Sequence, residues 1–296
     1  MILIAASDDS VPTMPLGKGL HMPVLGLGTA GLGNAGESII YNALVMGAKM
    51  IDTAQASEWY SEMDTGNALR RYAAATNSTP DVLIVTKIHP KYYHPDKLLP
   101  RFLESKNYLN LRAENPLDVV LLHSPVCWRG LCTAEENQYK WQDAWKILEE
   151  LKKNGEIIAI GVSNFEVQQL QELSQISNSK ISVVQNWMDP FHQDIEVRNF
   201  CKENGIVYMA YSSFGTQWQG RWPGNVVWDN PVLQEISLKH EKEISQVVIS
   251  WLLQEGVVAI PRSSKAEHLS INLQYETFLD KYDLDRIRSL DGILVD

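Results

Sequence analysis

The runs Asp118-Val-Val-Leu-Leu122 and Ile157-Ile-Ala-Ile160 decide the fold class of this chain, because both are short and almost wholly apolar. A strand that is apolar along its whole length is buried on both faces, which is typical of a parallel sheet covered by helices. The segment between the two runs has helical spacing, with Trp141, Trp145 and Leu148 on one face. The three segments together predict a strand–helix–strand unit of the α/β class.

The same alternation extends over most of the chain. Strand-like runs lie at residues 24–28, 48–52, 82–86, 117–122, 157–162, 181–185, 206–210 and 257–260. Eight such strands separated by helical patterns, without a linker between them, predict a single (β/α)8 TIM barrel domain over residues 1–296. The segment 13–23 contains Gly17-Lys18-Gly19 at its centre and predicts an N-terminal β-hairpin that caps the bottom of the barrel.

Composition excludes several classes of partner. The formal net charge of −10 disfavours nucleic acid and anionic membranes. No stretch of about 18 apolar residues is present, so we expect no membrane association, and the apolar start lacks the basic residues of a signal peptide. Cys127, Cys132 and Cys201 are too few for a disulfide framework and favour a reducing compartment, which predicts a cytoplasmic protein.

Polar side chains stand where the predicted strands end. In chain order these residues are Asp52, Lys87, His123, Ser163 with Asn164, Gln185, Tyr211, and Arg262 with Ser263. The active sites of barrels of this type form at the carboxyl ends of the strands. Seven consecutive strands ending in polar groups therefore predict one shared site at that rim.

Five motifs carry a family resemblance. They are Pro23-Val-Leu-Gly-Leu-Gly-Thr29, Ile51-Asp-Thr-Ala54, Leu121-Leu-His-Ser-Pro125, Gly161-Val-Ser-Asn-Phe165 and Ile260-Pro-Arg-Ser263. In this order, followed by His268 and Asn272, they resemble the motifs of the aldo-keto reductase family. The resemblance implies a TIM barrel, bound NADPH in preference to NADH, and reversible reduction of an aldehyde or ketone by hydride transfer.

The resemblance also implies a catalytic set of Asp52, Lys87, His123 and a tyrosine. Hydride transfer to a carbonyl leaves a developing alkoxide, which needs a proton donor. A tyrosine with a pKa near 10 is a weak acid, and a neighbouring lysine held by a carboxylate favours its phenolate form and lowers that pKa. A histidine can orient the carbonyl oxygen.

The tyrosine of this set is assigned to Tyr60. In the family it follows the aspartate that matches Asp52 after four intervening residues, but Ser57 stands at that position here. Counting back from Gly66, Trp59 occupies the expected place. An insertion of about two residues accounts for both offsets, and Tyr60 is then the proton donor.

The remaining matches imply a cofactor site. Ser163, Asn164 and Gln185 match the residues that hold the nicotinamide carboxamide, and Tyr211 matches the ring that stacks on the nicotinamide. The residues that match the adenosine and 2′-phosphate end are Arg262, Ser263, His268 and Asn272.

Long loops rich in tryptophan indicate the substrate class. The candidate substrate-contacting residues are Trp59, Trp128, Trp218 and Trp222. Aromatic loops suit a flat, apolar or aromatic small-molecule carbonyl substrate, although the same rings could instead pack the loops on themselves. We expect the protein to be a monomer.

Other functions use the same residues. An NADPH-binding module with little turnover would explain the displaced tyrosine, and a Schiff-base lyase would use Lys87 as a nucleophile. Gly26-Leu-Gly-Thr-Ala-Gly31 matches a dinucleotide-binding motif, but more glycines follow where its helix should open. His123, Cys127 and Cys132 lack a fourth ligand at zinc-site spacing, so no metal is predicted.

Overall fold

Two antiparallel strands open the fold, β1 (Thr13–Gly17) and β2 (Leu20–Pro23). The computed structural model describes residues 11–17, 19–109 and 115–294. The hairpin ends directly before the first barrel strand, and its Met14, Leu16 and Met22 side chains are buried. It therefore lies at the amino end of the barrel and confirms the predicted cap, with Lys18 of the turn outside the described residues.

Eight parallel strands form one sheet in chain order. They are β3 (Leu27–Gly28), β4 (Met50–Asp52), β5 (Leu83–Ile88), β6 (Leu117–Leu122), β7 (Ile157–Ser163), β8 (Val183–Trp187), β9 (Val207–Tyr211) and β10 (Val258–Ala259). The backbone N–H of Gly26 donates to the carbonyl of Ala259, and the N–H of Ala259 donates to the carbonyl of Val24, both at 2.9 Å. These two bonds join the first strand segment to the last, which confirms the predicted (β/α)8 barrel.

Close packing between neighbouring strands explains one glycine of the motifs. A Cβ added at Gly161 in β7 would lie 2.1 Å from the carbonyl oxygen of Val183 in β8. The backbones approach too closely there for any side chain. Position 161 of the motif therefore requires glycine, because β7 and β8 pack too closely there for a side chain.

Helices cover the outside of the sheet. They are α1 (Gly36–Val45), α2 (Glu62–Thr76), α3 (Pro95–Leu109), α4 (Trp141–Lys153), α5 (Val167–Ile176), α6 (Ile195–Glu203), α7 (Pro231–His240), α8 (Ile244–Gln254), α9 (Ala266–Asn272) and α10 (Lys281–Arg288). Because α1 begins only at Gly36, the Gly26–Gly31 run does not open a helix, as its further glycines indicated, and the chain has no dinucleotide-binding fold of that type there. No helix in the described ranges is long and apolar enough to cross a membrane.

The cysteines form one local bridge that the sequence did not predict. Cys127 and Cys132 form a disulfide, with Cα atoms 6.1 Å apart, while Cys201 is free and buried. A low count argues against a framework of several bridges, but it does not exclude one local bridge within a single loop. The argument for a reducing compartment from cysteine usage therefore loses its support.

Candidate active site

A buried ion pair lies at the carboxyl ends of β4 and β5. Nζ of Lys87 donates to Oδ2 of Asp52 at 2.7 Å and to the carbonyl of Thr53 at 3.0 Å, and the two charged side chains are 0% and 1% exposed. Nε2 of Gln185 donates to the other carboxylate oxygen of Asp52 at 2.7 Å. Strand β5 runs to Ile88, beyond the predicted end at residue 86, so Lys87 is held within the strand.

Tyr60 reaches this pair from the segment between β4 and α2. Its hydroxyl oxygen lies 3.5 Å from Nζ of Lys87, and Nζ lies 4.6 Å from the centre of the Tyr60 ring. The backbone N–H groups of Trp59 and Tyr60 both donate to the carbonyl of Ala56, which forms a tight turn. The turn leaves Trp59 42% exposed, and the side chain at the ion pair is that of Tyr60.

Burial dominates the pKa values at this cluster. It raises the pKa of Tyr60 well above the usual 10, and the carboxylate of Asp52 raises it further. Burial likewise raises the pKa of Asp52 and lowers that of Lys87, while their 2.7 Å contact opposes both shifts. The expected lowering of the tyrosine pKa is therefore wrong for this state, because burial and the Asp52 carboxylate both favour the neutral phenol. The Tyr60 hydroxyl keeps its proton at neutral pH.

His123 lies one residue beyond β6 beside the same cluster. Burial is the largest cause that lowers its pKa well below 6.5, and Lys87 lowers it further, so the imidazole is neutral at pH 7. Its buried Nδ1 has no hydrogen-bond partner among the described residues. The ring centres of His123 and Tyr60 are 5.8 Å apart. A neutral imidazole in this position has one N–H to donate and one nitrogen to accept.

An amide group links His123 to the next strand ends. Nδ2 of Asn164 donates to the carbonyl of His123 at 2.8 Å and to Oγ of Ser163 at 3.1 Å. The hydroxyl of Tyr211 donates to Oδ1 of Asn164 at 2.5 Å. Asn164 adopts the left-handed conformation with a φ of 62°, which an asparagine tolerates better than most residues. The hydrogen bonds hold its amide between β6 and β9.

The residues after β10 extend the site outward. Arg262 is exposed, and its Nη1 donates to the carbonyl of Gly31 at 3.1 Å. The Ser263 hydroxyl is held by hydrogen bonds to the backbone two residues on. On α9, His268 is exposed, whereas Asn272 is buried and its Oδ1 has no partner among the described residues.

A cleft of about 700 Å³ joins most of these residues. The predicted site residues on its walls are Asp52, Tyr60, His123, Ser163, Asn164, Gln185, Tyr211 and Arg262. Lys87 is fully buried and in contact with Asp52 and Tyr60. Ser263, His268 and Asn272 are not among the lining residues, so the structure does not bring them to this cleft.

The tryptophan candidates divide into two groups. Trp59 and Trp128 line the cleft and pack edge to face, with ring centres 5.2 Å apart. Trp218 is buried, and its indole N–H donates to Oδ2 of Asp189 at 2.9 Å. The substrate-contact prediction is wrong for Trp218, because this bond ties the buried ring to Asp189 in the segment after β8, and the ring does not line the cleft. Trp222 is exposed and does not line the cleft.

Two other aromatic rings of the same region line the cleft, and Phe214 among them was not predicted as a contact. Phe214 and Trp228 have ring centres 5.4 Å apart. Their aromatic character was visible in the sequence. Which ring of a long loop turns inward depends on anchors such as Asp189, which lie elsewhere in the chain.

Comparison with known proteins agrees with this geometry. The sequence profile of the Aldo/keto reductase family matches residues 24–292. Glyoxal reductase of Bacillus subtilis (strain 168) is 33% identical over 282 residues, covering 94% of this chain and 92% of its own length. NAD(P)H-dependent 6'-deoxychalcone synthase of Glycine max is 32% identical over 282 residues, covering 91% and 87%.

A solved structure is also similar. An aldo-keto reductase complexed with NADPH superposes with a TM-score of 0.84 at 26% identity, covering 96% of this chain and 89% of that one. The profile match spans most of the chain, and relatives above 30% identity are covered almost in full. The chain therefore belongs to the aldo/keto reductase family of oxidoreductases.

Proposed function

We propose that this protein reduces the carbonyl group of an aldehyde or ketone with NADPH, and that Tyr60 donates the proton. The observation that carries the proposal is the contact of the Tyr60 hydroxyl with Lys87 at 3.5 Å, beside the 2.7 Å pair of Lys87 and Asp52. All three groups lie at the carboxyl ends of barrel strands, where active sites of this fold form. Relatives named as NAD(P)H-dependent D-xylose reductases support the same reaction class.

The residues at the rim fit NADPH. The buried Oδ1 of Asn272 lacks a partner among the described residues and is an acceptor suited to an adenine amino group. The exposed guanidinium of Arg262 is a good ligand for a phosphate. We assign Ser163, Asn164 and Gln185 to the nicotinamide carboxamide, Tyr211 to the nicotinamide ring, and Arg262, Ser263, His268 and Asn272 to the adenosine and 2′-phosphate. NADPH, when bound, supplies the hydride.

The chain's own residues supply the proton. The Tyr60 O–H transfers its proton to the carbonyl oxygen as negative charge develops there, which leaves a phenolate. The ammonium of Lys87 stabilises that phenolate, and Asp52 keeps the lysine charged and in place. Neutral His123 can donate an N–H to the same carbonyl oxygen and orient it. A proton from solvent restores Tyr60 after each turnover.

The contacts of Lys87 weigh against a Schiff-base lyase. Its Nζ is fully buried and already contacts Asp52, the carbonyl of Thr53 and Tyr60. A nucleophilic lysine needs a free amine facing the substrate. The contact of Tyr60 with Lys87 also weakens the argument for a binding module without turnover, because that argument rested on a displaced tyrosine.

For the substrate we propose a flat, apolar or aromatic carbonyl compound. Trp59 and Trp128 line the cleft next to Tyr60 and His123, with Phe214 and Trp228 also on its wall. Aromatic rings bury flat apolar groups at low entropic cost. The single domain, the monomeric state and the cytoplasmic location stay predictions.

The test is NADPH oxidation by the purified protein against a panel of aliphatic and aromatic aldehydes and ketones. We expect turnover, with lower KM for the aromatic members. Tight NADPH binding without hydride transfer to any member in a single turnover would support the binding module instead. Borohydride trapping of a substrate on Lys87 would support the lyase.

A further inference from the structure

The disulfide between Cys127 and Cys132 lies beside the candidate active site. The bridge closes a short loop after β6, and Trp128 is the first residue inside that loop. The Trp128 ring packs edge to face on His123, with ring centres 4.8 Å apart, and on Trp59 at 5.2 Å. The covalent bridge therefore fixes a loop whose side chain forms part of the cleft wall.

A buried histidine faces the two sulfurs. A ring nitrogen of His89 lies within 4.8 Å of Sγ of both cysteines, and the side chain of His89 is 0% exposed. Nδ1 of His89 accepts a hydrogen bond from the backbone N–H of Lys91 at 3.1 Å, so the proton of the neutral ring is on Nε2. Nε2 has no hydrogen-bond partner among the described residues, and Oε2 of Glu58 lies 4.0 Å from it. A buried N–H without an acceptor is costly, and a sulfur anion formed at either cysteine would satisfy it.

We propose that Cys127 and Cys132 are a reversible dithiol–disulfide site, and that its oxidation state sets the position of Trp128 in the cleft wall. Both cysteines are half-buried and so within reach of a small dithiol, whereas the free Cys201 is buried. A dithiol reductant gives two electrons and two protons, the bond between the two sulfurs breaks, and the reductant forms its own disulfide. One of the new thiols releases its proton to solvent, and the resulting thiolate accepts the Nε2–H of His89.

Reduction removes the constraint on the Trp128 loop. The ring then loses its fixed edge-to-face contacts with His123 and Trp59. The consequence for aromatic substrates rests on the proposed function, and from the usual strength of such ring contacts we expect KM to rise about three- to tenfold. Asp52, Tyr60 and Lys87 lie outside the loop, so we expect kcat to change less than KM.

The experiment follows the native protein through reduction by dithiothreitol and reoxidation. The first readout is the count of accessible thiols, and the second is the indole N–H resonance of Trp128, assigned by its absence in Trp128→Phe. We expect two additional thiols, a reversible shift of that resonance, and the matching change in KM. The double variant Cys127→Ser with Cys132→Ser should show the Trp128 resonance and the KM of the reduced protein with or without dithiothreitol. Cys201→Ser should respond to dithiothreitol like the wild type.

His89→Asn tests the role of the histidine. Asparagine can still accept the Lys91 N–H as a cap, but its amide is too short to reach the sulfurs. Losing a hydrogen bond to a charged sulfur should make the disulfide about tenfold harder to reduce in a redox-buffer titration. An unchanged titration would overturn this role.

The central proposal is overturned if the disulfide resists reduction until the protein unfolds, or if it is reduced and the Trp128 resonance does not move. Both readouts need no turnover. A resonance that switches in a protein that reduces no carbonyl would support this inference and contradict the proposed function.

Discussion

Replacing Asp52 by Asn should destabilise the fold strongly, because it leaves the ammonium of Lys87 buried without its partner. The pair is 2.7 Å long and both side chains are almost fully buried. Removing one partner of such a pair costs about 3–5 kcal/mol. The hydrogen bond from Gln185 can persist to the asparagine oxygen, so we expect the lower end, about 3 kcal/mol. For a chain of 296 residues that loss lowers the Tm by about 5 °C.

The matched control is Asp81→Asn. Its partner Lys49 is 3.0 Å away, but the two side chains are 43% and 95% exposed. Both variants delete one carboxylate and change the net charge equally. Exposed pairs contribute little, so Asp81→Asn should show no measurable loss. Urea unfolding at pH 7, followed by circular dichroism, gives both free energies.

The pH dependence provides a second check on Asp52→Asn. Burial lowers the pKa of Lys87 from 10.5, and the loss of Asp52 removes the main opposing cause. In the variant the folded state then binds fewer protons than the unfolded state, so its free energy of unfolding rises with pH. The stability loss of Asp52→Asn relative to the wild type should therefore shrink as pH rises from 7 towards 10. Equal losses for the two variants, or a loss below about 1 kcal/mol for Asp52→Asn, would refute the buried-pair argument.

Three further changes test other parts of the account. Burial raises the pKa of Glu62 from 4.5 to about 7. The protonated carboxyl therefore stabilises the fold fully below pH 4.5, and this contribution of about 3 kcal/mol is lost as pH rises through 7. In urea unfolding at pH 5 and pH 8, the wild type should lose that stability and Glu62→Gln should not. Trp59→Ala should raise KM for an aromatic aldehyde about three- to tenfold in steady-state assays, while the exposed Trp222→Ala should leave it unchanged. Arg262→Ala should weaken NADPH binding about tenfold in calorimetry and leave NADH binding unchanged, since only NADPH carries the 2′-phosphate.

Much of the barrel could be predicted from the sequence because its signals are local. Wholly apolar runs mark strands buried on both faces, and the polar residue that follows each run lies at the same rim. Asp52, Lys87 and His123 therefore meet as predicted, each carried by its own neighbouring strand. Strand β5 extends to Ile88, beyond its predicted end. The extension places Lys87 within the strand and leaves it at the same end of the barrel.

The parts that could not be predicted depend on loops and on burial. A turn closed by the carbonyl of Ala56 determines whether Trp59 or Tyr60 reaches Lys87. The segment is irregular, so its sequence has no periodic pattern that would predict which side chain is buried. Trp218 turns inward because Asp189 accepts its N–H. Burial raises the pKa of Tyr60, and the sequence does not show that this side chain is buried.

The histidine of the cysteine cluster is a similar case. Sequence proximity pointed to His123 as the neighbour of Cys127 and Cys132, but the structure places His89, which directly follows β5, against the two sulfurs. Parallel strands bring distant residues to one rim, so the nearest residue in sequence is not the nearest in space.

The most direct test of the proton-donor assignment is the single-turnover rate of NADPH oxidation with the best carbonyl substrate, measured for Tyr60→Phe and Trp59→Phe. A lost general acid slows the chemical step about 10²- to 10⁴-fold, so Tyr60→Phe should fall by that factor with NADPH affinity unchanged. Trp59→Phe should keep a rate within about threefold of the wild type, because it removes no proton donor from the Lys87 cluster. A Tyr60→Phe rate as high as that of Trp59→Phe would contradict the assignment.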